Sequence, residues 1–314
     1  MTLLPLSLRP WAAVALLATL AACGGGQDRV LGFDGAQAGS PAAGAPVVAP
    51  KVPLVGGVAV PLGAATTFGV FGGSAGVTNQ GINTVVNADL GTTAVATTVT
   101  GFHDGVAGVN KCDYTETGLN IGTLPGTNRV YTAPPPPVGT SAAGCIGGTS
   151  LTATTAANAR ADALIAYNAL VAKPLGPDPG AGNLASLTLA PGVYTAAAGT
   201  FRIQGGDLTL DAQGDANAVW VFQMATSLTV GGPGAAFPAN VILTNGAQAK
   251  NVYWQVGSAA TINAGGGGTF KGTVITQSGA AISTPGNVAL VTIDGRVLSL
   301  NASVTMVNTV INLP

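Results

Sequence analysis

The chain has 314 residues, only 7% of them charged, and a formal net charge of -1 at pH 7. The length suits one large domain or two small ones. The charged fraction is far below the quarter typical of soluble proteins. The near-zero net charge leaves no electrostatic basis for nucleic-acid binding, so we expect no nucleic-acid partner.

Residues 1–23 have the layout of a bacterial export signal. Arg9 precedes an apolar run over residues 11–20, which is too short for a comfortable membrane span. The sequence LAAC ending at Cys23 resembles a lipobox, in which the cysteine is lipidated, and Gly24 after it is compatible with the outer membrane. We therefore expect an exported protein, held at a membrane or the cell surface by a lipid on Cys23. Ordinary cleavage or an uncleaved anchor is the alternative.

Residues 24–60 predict a flexible tether, because Gly, Ala and Pro dominate and no periodicity is present. The domain is expected to cover residues 61–314. It starts with short Val, Thr and Phe strands that are separated by Gly and Asn. Residues 103–150 are irregular and are interpreted as a cap or an insertion.

Cys112 and Cys145 remain after the signal. Two remaining cysteines of an exported protein most simply form a disulfide. On the chain-entropy model the bridge would stabilise the domain by roughly 3–4 kcal/mol. Two reduced, buried thiols are the alternative, and the spacing does not favour a metal site.

Residues 152–173 predict one long helix. Thr152 or Thr154 is expected to cap its start, and Pro174 ends it. The apolar residues fall on one face at spacings of three and four. That face consists of Ala156, Ala159, Ala163, Tyr167, Leu170 and Val171. Because most of these residues are alanine, the helix can lie close against a sheet.

The remainder of the chain contains a weak repeat of paired short strands. The first strands are VWVFQ (219–223), VYWQV (252–256), GTVIT (272–276) and GRVLS (295–299). The second strands are SLTV (227–230), AATI (259–262), GAAIS (279–283) and SVTM (303–306). Strand repeats of this size predict a mainly β protein, a parallel β-solenoid with about three faces. Trp220 and Trp254 are expected to face the interior or the helix.

Several ordered motifs resemble the microbial ice-binding-protein family. They are LGAATTFGVFGGSAGVTNQGINTVVNADLG, TVTGF, APGVYTA, LTLDAQGDANAVWVFQ and NGAQAKNVYWQVGSAATI, within residues 60–102 and 150–314. The resemblance implies an irregular three-faced β-solenoid with one long α-helix packed alongside, and adsorption to ice crystals. Residues 103–150 are where some family members carry a cap. We expect a monomer that is not an enzyme and needs no cofactor.

The stack of second strands is the candidate ice-binding face. Alternation along each strand predicts small, uncharged residues on its outward side. They are Ser227, Thr229, Ala259, Thr261, Asn263, Gly279, Ala281, Ser283, Ser303 and Thr305. A slip of one residue would invert the assignment. Arg202 and Gln204 in the preceding coil interrupt the pattern at one end.

Two other functions compete with ice binding. A cell-surface adhesin or structural module would use the same face to bind a polymer or another cell. A polysaccharide-cleaving enzyme would use paired carboxylates, or a Lys or Arg base near a calcium ion. Carboxylates are scarce, and the sequence offers one cluster, Asp207, Asp211 and Asp215. That cluster lacks the spacing of an EF-hand, so turn hydrogen bonds explain it better than calcium. His103 stands in a Gly-flanked turn without a nucleophile motif beside it.

Overall fold

The computed structural model describes residues 60–104, 112–114, 121–136, 147–232 and 238–314, which belong to one unit, Pro46–Pro314. The export signal with Cys23, nearly all of the tether, and Cys145 fall outside the described residues. Within the described residues the chain forms one α-helix, α1 (Ser150–Val171), and short 3-10 segments at Gly63–Thr67, Ala96–Thr98, Pro179–Gly182 and Ala249–Asn251.

The strands, in chain order, are β1 (Phe68–Gly72), β2 (Val77–Asn79), β3 (Val85–Asn87), β4 (Asp89–Val95), β5 (Val99–Thr100), β6 (Phe102–Asp104), β7 (Cys112–Tyr114), β8 (Gly122–Thr123), β9 (Val130–Ala133), β10 (Thr188–Leu189), β11 (Gly192–Thr195), β12 (Phe201–Ile203), β13 (Leu208–Asp211), β14 (Trp220–Met224), β15 (Leu228–Val230), β16 (Val241–Thr244), β17 (Val252–Val256), β18 (Ala260–Ile262), β19 (Thr269–Thr276), β20 (Ala280–Ile282), β21 (Val291–Ser299), β22 (Val304–Met306) and β23 (Thr309–Asn312).

These strands stack in parallel to form three faces of a solenoid, which confirms the expected fold class. The helix face has the order β11-β14-β17-β19-β21-β1-β4-β9. The threonine face is the seven-stranded sheet β12-β15-β18-β20-β22-β2-β5. The third face holds β10-β13-β16, followed by the first halves of β19 and β21 and then β23-β3-β8-β6. Strand β7 pairs antiparallel with β6 beyond that end.

Spatial order departs from chain order where the two ends of the domain meet. The first coil after residue 60 stacks on the last coil of the chain, because β1 pairs with β21, β2 with β22 and β3 with β23. The N-terminal strands therefore lengthen every face beyond the C-terminal coil. The repeat seen in the second half of the sequence covers only part of each face.

Two glycines allow β19 and β21 to turn from the third face to the helix face without a break. Gly272 has φ of +108° and is paired with Gly295 on the next strand. A Cβ on Gly295 would lie 1.8 Å from the carbonyl oxygen of Gly272. Only glycine permits this approach of one backbone to another, so the corner requires both residues.

An aromatic stack fills the interior along the solenoid axis. Phe222 and Trp254 are stacked with ring centroids 4.0 Å apart, and Tyr194 and Phe270 extend the stack at its two ends. Trp220 and Trp254 are both fully buried in the interior cluster, as expected. Burial raises the pKa of Tyr194 to about 12, and its hydroxyl donates to Ala190 O at 2.7 Å. Such close packing gives the coils a rigid core.

Helix α1 runs along the helix face from one end of the stack to the other. Its contacts progress along the strands: Thr152 donates to Thr132 O on β9, and Arg160 donates to Leu300 O just beyond β21. Near the other end of the helix, Tyr167 accepts from Gln255 on β17, and Leu170 O accepts from Gln223 on β14. Ala156, Ala159, Ala163 and Ala166 are buried between these points, so the helix lies close against the strands.

The helix begins two residues earlier than the sequence predicts. Thr149 is its N-cap, and its side chain accepts from the backbone N–H of Thr152. Thr152 reciprocates by accepting from the Thr149 N–H, which forms a capping box. The expectation that Thr152 or Thr154 caps the helix was therefore wrong. Val171, expected on the buried face, is 49% exposed, because it lies at the edge of the stripe.

Candidate functional site

One row of side chains crosses all seven strands of the threonine face. Strand pairing places these residues side by side, at the middle of each three-residue strand and at the end of the two-residue β5. We call this row the central column; it consists of Arg202, Thr229, Thr261, Ala281, Thr305, Thr78 and Thr100. Neighbouring strands in a sheet lie about 4.8 Å apart, so the column is a regular one-dimensional array.

The central column lies on a fully packed floor. On either side of each central residue, the chain points inward to buried positions such as Leu228, Val230 and Ile262. The column's threonines are themselves half-buried, while Ala281 and Arg202 are exposed. Across the outward positions of these seven strands, all of them described, Arg202 is the one charged side chain. The face is therefore stiff, regular and almost uncharged.

A second row runs parallel to the central column, two residues earlier in the chain. It consists of Thr200, Ser227, Ala259, Gly279, Ser303, Gly76 and Thr98. Ala259 is exposed, whereas Ser227 and Ser303 are half-buried. A Cβ on Gly76 would lie 2.1 Å from the Thr98 carbonyl oxygen, and one on Gly279 would lie 2.7 Å from that of Ser303. The row thus mixes hydroxyls, a methyl group and bare backbone, and is less regular than the central column.

Two residues predicted to point outward are turned into the structure. Asn263 is fully buried, and its amide group bonds both the N–H and the carbonyl oxygen of Ala239, at 3.1 and 3.0 Å. Ser283 is 7% exposed. Both residues follow the last residue of their strand and have positive φ, +45° and +63°. Alternation stops where the strand ends, so the outward orientation expected for Asn263 and Ser283 was wrong.

Sequence reasoning missed Thr78 and Thr100, which continue the central column on β2 and β5. Their strands lie far from β22 in the chain but directly beside it in space. A signal was present in the sequence. Val77-Thr78, Val99-Thr100 and Val304-Thr305 share the same dipeptide, with the valine buried and the threonine outward.

The two ends of the threonine face differ. Arg202 on β12 closes one end, as expected, and is exposed. Near the other end, Thr78 and Thr100 border a groove of about 560 Å³, which is also lined by residues just after the carboxyl ends of β2 and β20, among them Ile82 and Val288. The side chains of Ile82 and Val288 are 60% and 84% exposed. Exposed apolar groups therefore lie beside the central column near this end, past the carboxyl ends of the strands.

The third face has a different chemistry. Lys271, Asp294, Asn312 and Asn87 occupy one register row, where Lys271 forms an ion pair with Asp294. Asn312 donates to Asp294 Oδ1 at 2.9 Å, and Asn87 donates to Asn312 Oδ1 at 2.7 Å. Burial raises the pKa of Asp294, but hydrogen bonds from Asn312 and Lys271 and the Lys271 charge outweigh it and hold the pKa below its ordinary value. The polar side chains of this row therefore bind one another.

The carboxylate cluster serves the turns around β13. Asp207 Oδ1 accepts from the backbone and side chain of Asn240, at 2.8 and 2.9 Å. Asp211 Oδ1 accepts from Gln213 N and Asn245 Nδ2, and Asp215 Oδ1 accepts from Asn217 N. These bonds support the turn interpretation.

The remaining predicted residues fall on the edge of the described structure. His103 lies half-buried in β6, and Cys112 begins β7. Because Cys145 lies outside the described residues, its pairing with Cys112 stays a prediction. Among the described residues, no helix combines the length and apolar character needed to cross a membrane.

A family model described as ice-binding-like matches residues 71–312. The ice-binding protein of Nostoc sp. (strain HG1) is 33% identical over 246 residues, which are 78% of this chain and 71% of that protein. Ice-binding protein 1 of Shewanella frigidimarina (strain NCIMB 400) is 38% identical over 153 residues, 47% of this chain. The match spans 16% of that longer protein.

Solved structures give the same result. The crystal structure of an ice binding protein from an Antarctic Biological Consortium superposes with a TM-score of 0.62 at 30% sequence identity. The superposition covers 85% of this chain and 96% of that one. The solenoid with its flanking helix is therefore shared over almost the whole length of that protein.

Proposed function

The chain belongs to the ice-binding-like family, and we propose that it binds ice crystals through the threonine face. The observation that supports this assignment is the central column. Five threonines and one alanine stand in register on adjacent parallel strands, with Arg202 at the end as the one charged member.

The chemistry of the column suits a ligand that is itself an array of water molecules. Each threonine offers a methyl group, beside which water orders, and a hydroxyl group that holds water by hydrogen bonds. A charged side chain would bind water in a geometry set by the ion rather than by the lattice. Each contact is weak, but a face on a packed floor loses little conformational entropy when it binds.

Partitioning of the purified protein into a growing ice hemisphere tests the proposal. The wild type should enter the ice, and Thr261→Tyr should be excluded from it, because the ring lifts the surface off the lattice. Thr209→Tyr is the matched control, since Thr209 is a half-buried outward residue on the third face. Exclusion of the wild type from ice would reject ice binding and favour an adhesin that holds a polymer or another cell.

We propose that the protein acts by adsorption alone, without catalysis or a cofactor. The only carboxylate cluster proposed for the sequence is engaged in turns, as its hydrogen bonds indicate. Incubation with polysaccharides should release no reducing sugar. Release of sugar by the wild type that is lost in Asp207→Asn would contradict this.

We propose that the domain is displayed at the cell surface, with residues 1–23 directing export and Cys23 carrying the lipid. The lipobox-like sequence LAAC supports lipidation. Cells fed a radiolabelled fatty acid should label the wild type but not Cys23→Ser. Equal labelling of the two would reject the anchor. A Cys112–Cys145 disulfide is expected in the exported protein and would appear as a linked peptide in a non-reduced digest.

A further inference from the structure

The outward side of α1 carries no charged side chain. Ten residues of the helix are exposed, and they recur at spacings of three and four, so they form one continuous row from Ser150 to Val171. We call these exposed residues of α1 the helix ridge. Its branched aliphatic members are Leu151, Leu164, Ile165 and Val171, which are 75%, 39%, 55% and 49% exposed. The solvent side of a surface helix normally carries charged residues, so the composition of the helix ridge is that of a contact surface.

The two charged residues of α1 are turned towards the solenoid. Arg160 donates to Leu300 O and, at 2.7 Å, to Asn301 Oδ1. Asp162 Oδ2 accepts from Ala64 N at 2.7 Å. Arg160 and Asp162 are the only charged residues of the helix. Because both are bound to the domain, the helix ridge is left neutral.

The surface beside the helix ridge is neutral as well. The 3-10 segment Gly63–Thr67 lies next to the middle of α1, where Ala64 meets Asp162. Its sequence is GAATT, and four of its five residues are exposed. A partner that approaches the middle of the helix therefore meets small, uncharged groups on this flank too.

The two halves of the helix ridge differ in size. Ala161 lies at the middle of α1. On its N-terminal side the ridge carries only Ser, Thr, Ala and Asn apart from Leu151, whereas Leu164 and Ile165 follow on its C-terminal side. In an antiparallel pair of helices the large half of one ridge lies against the small half of the other, so that the side chains can interlock. In a parallel pair large residues would meet large ones, and small residues would leave gaps.

A second copy of this chain is the partner that fits the helix ridge. A two-fold axis through Ala161 brings together residues that lie equally far from it on either side. Leu164 of one copy then lies against Ala157 of the other, and the Thr154 hydroxyl comes opposite the Asn168 amide, with which it can form a hydrogen bond. A lipid surface fits less well, because the helix ridge offers no Lys or Arg to the headgroups.

We propose that two copies of the chain pair through their helix ridges as an antiparallel dimer with Ala161 at the two-fold axis. The 22 residues of α1 form a cylinder about 33 Å long and about 10 Å wide, so the helix contributes on the order of 300 Å² per copy. A standard stable interface buries roughly 800 Å² per partner. The dimer is therefore reversible and depends on protein concentration.

The proposed dimer differs from the monomer that the sequence predicts. The helix ridge belongs to the helix face, so the contact leaves the threonine face of each copy uncovered. One dimer thus carries two threonine faces. Pairing itself does not depend on ice binding, and both tests of it are made in the absence of ice.

Sedimentation of the purified protein at increasing concentration tests the pairing. The mass should rise towards twice the monomer mass. Ala161→Arg places two guanidinium groups against each other at the axis and should stay monomeric, while the fold is kept because Ala161 is exposed and Arg is a good helix former. Ala216→Arg, at an exposed turn, is the matched control and should dimerise as the wild type does. A wild type that stays monomeric at every concentration would overturn the proposal, and so would unimpaired dimerisation of Ala161→Arg.

Disulfide trapping tests the antiparallel orientation. Thr154 and Asn168 are separated by about 21 Å along the helix. A mixture of Thr154→Cys and Asn168→Cys should form the mixed cross-link under mild oxidation at about tenfold or more the yield of either variant alone, because pairing raises the effective concentration of one thiol near the other. Linked peptides identify the bond, and the wild type gives the background from the native cysteines. Cross-linking of either variant alone at the higher yield would show parallel pairing and overturn the proposal, as would equal yields in all three samples.

Discussion

Thr78 and Thr305 lie in register on the adjacent parallel strands β2 and β22, although they come from opposite ends of the domain. Their pairing joins the first and last coils and makes the central column continuous across the junction. The threonine face is therefore a product of both ends of the domain.

Thr78→Tyr is expected to reduce partitioning into ice about as strongly as Thr305→Tyr. Both tyrosine rings would project from neighbouring positions of the central column and hold the face away from the ice. The fold should be unaffected, with the free energy of unfolding changed by roughly 0.5 kcal/mol or less. Ice partitioning and denaturation measured together would check this. Full retention of ice partitioning by Thr78→Tyr would limit the face to the strands of the C-terminal half.

Arg202→Thr is expected to increase adsorption to ice. The substitution replaces the one charged, exposed member of the column with the residue found at most other positions. Crystal shaping at equal protein concentrations would measure the gain. Arg202→Lys is the control and should behave as the wild type; unchanged shaping by Arg202→Thr would place β12 outside the binding face.

The stability of the fold is expected to decrease at acid pH, partly because Asp294 becomes protonated. Its native pKa lies below the ordinary value of 3.8, so its charged form stabilises the fold above that pH. This contribution is lost as the pH falls through the lowered native pKa. Melting temperatures from neutral pH to below 3.8 should therefore fall more steeply for the wild type than for Asp294→Asn. If the melting temperatures of the two proteins fell equally with pH, the contacts of Lys271 and Asn312 with Asp294 would contribute nothing to the acid sensitivity.

Gln223→Met is expected to destabilise the domain by about 1–3 kcal/mol, because it removes two hydrogen bonds that the Gln223 amide donates to carbonyl groups at the end of α1. Gln223 Nε2 donates to Leu170 O at 2.8 Å and to Lys173 O at 3.0 Å, at the end of α1. Chemical denaturation would measure the loss. Gln213→Met, at an exposed turn, should change stability little. A neutral Gln223→Met would mean that packing alone holds the helix end.

The sequence was sufficient to predict the parallel solenoid, the helix and the outward orientation of Thr229, Thr261 and Thr305. The solenoid follows from the repeat of paired strands along the chain, the helix from spacings of three and four residues, and the threonine orientations from alternation within each strand. Asn263 and Ser283 were misplaced because a corner with positive φ ends the alternation. The Gly and Pro residues that follow them indicate a turn, but they do not show at which residue the alternation stops. Thr78 and Thr100 were missed because stacking order is a long-range property that a repeat search along the chain does not contain.

The stepwise contacts of α1 link the size of the binding face to the length of the helix. Each coil adds about 4.8 Å to the stack, which is close to the rise of three helical residues. A variant with one more coil would outgrow its helix and leave a strip of the helix face uncovered. Enlarging the threonine face by one coil thus requires a simultaneous insertion of about three residues in α1. The length of the helix therefore limits the number of coils, and with it the area of the face that can contact an ice crystal.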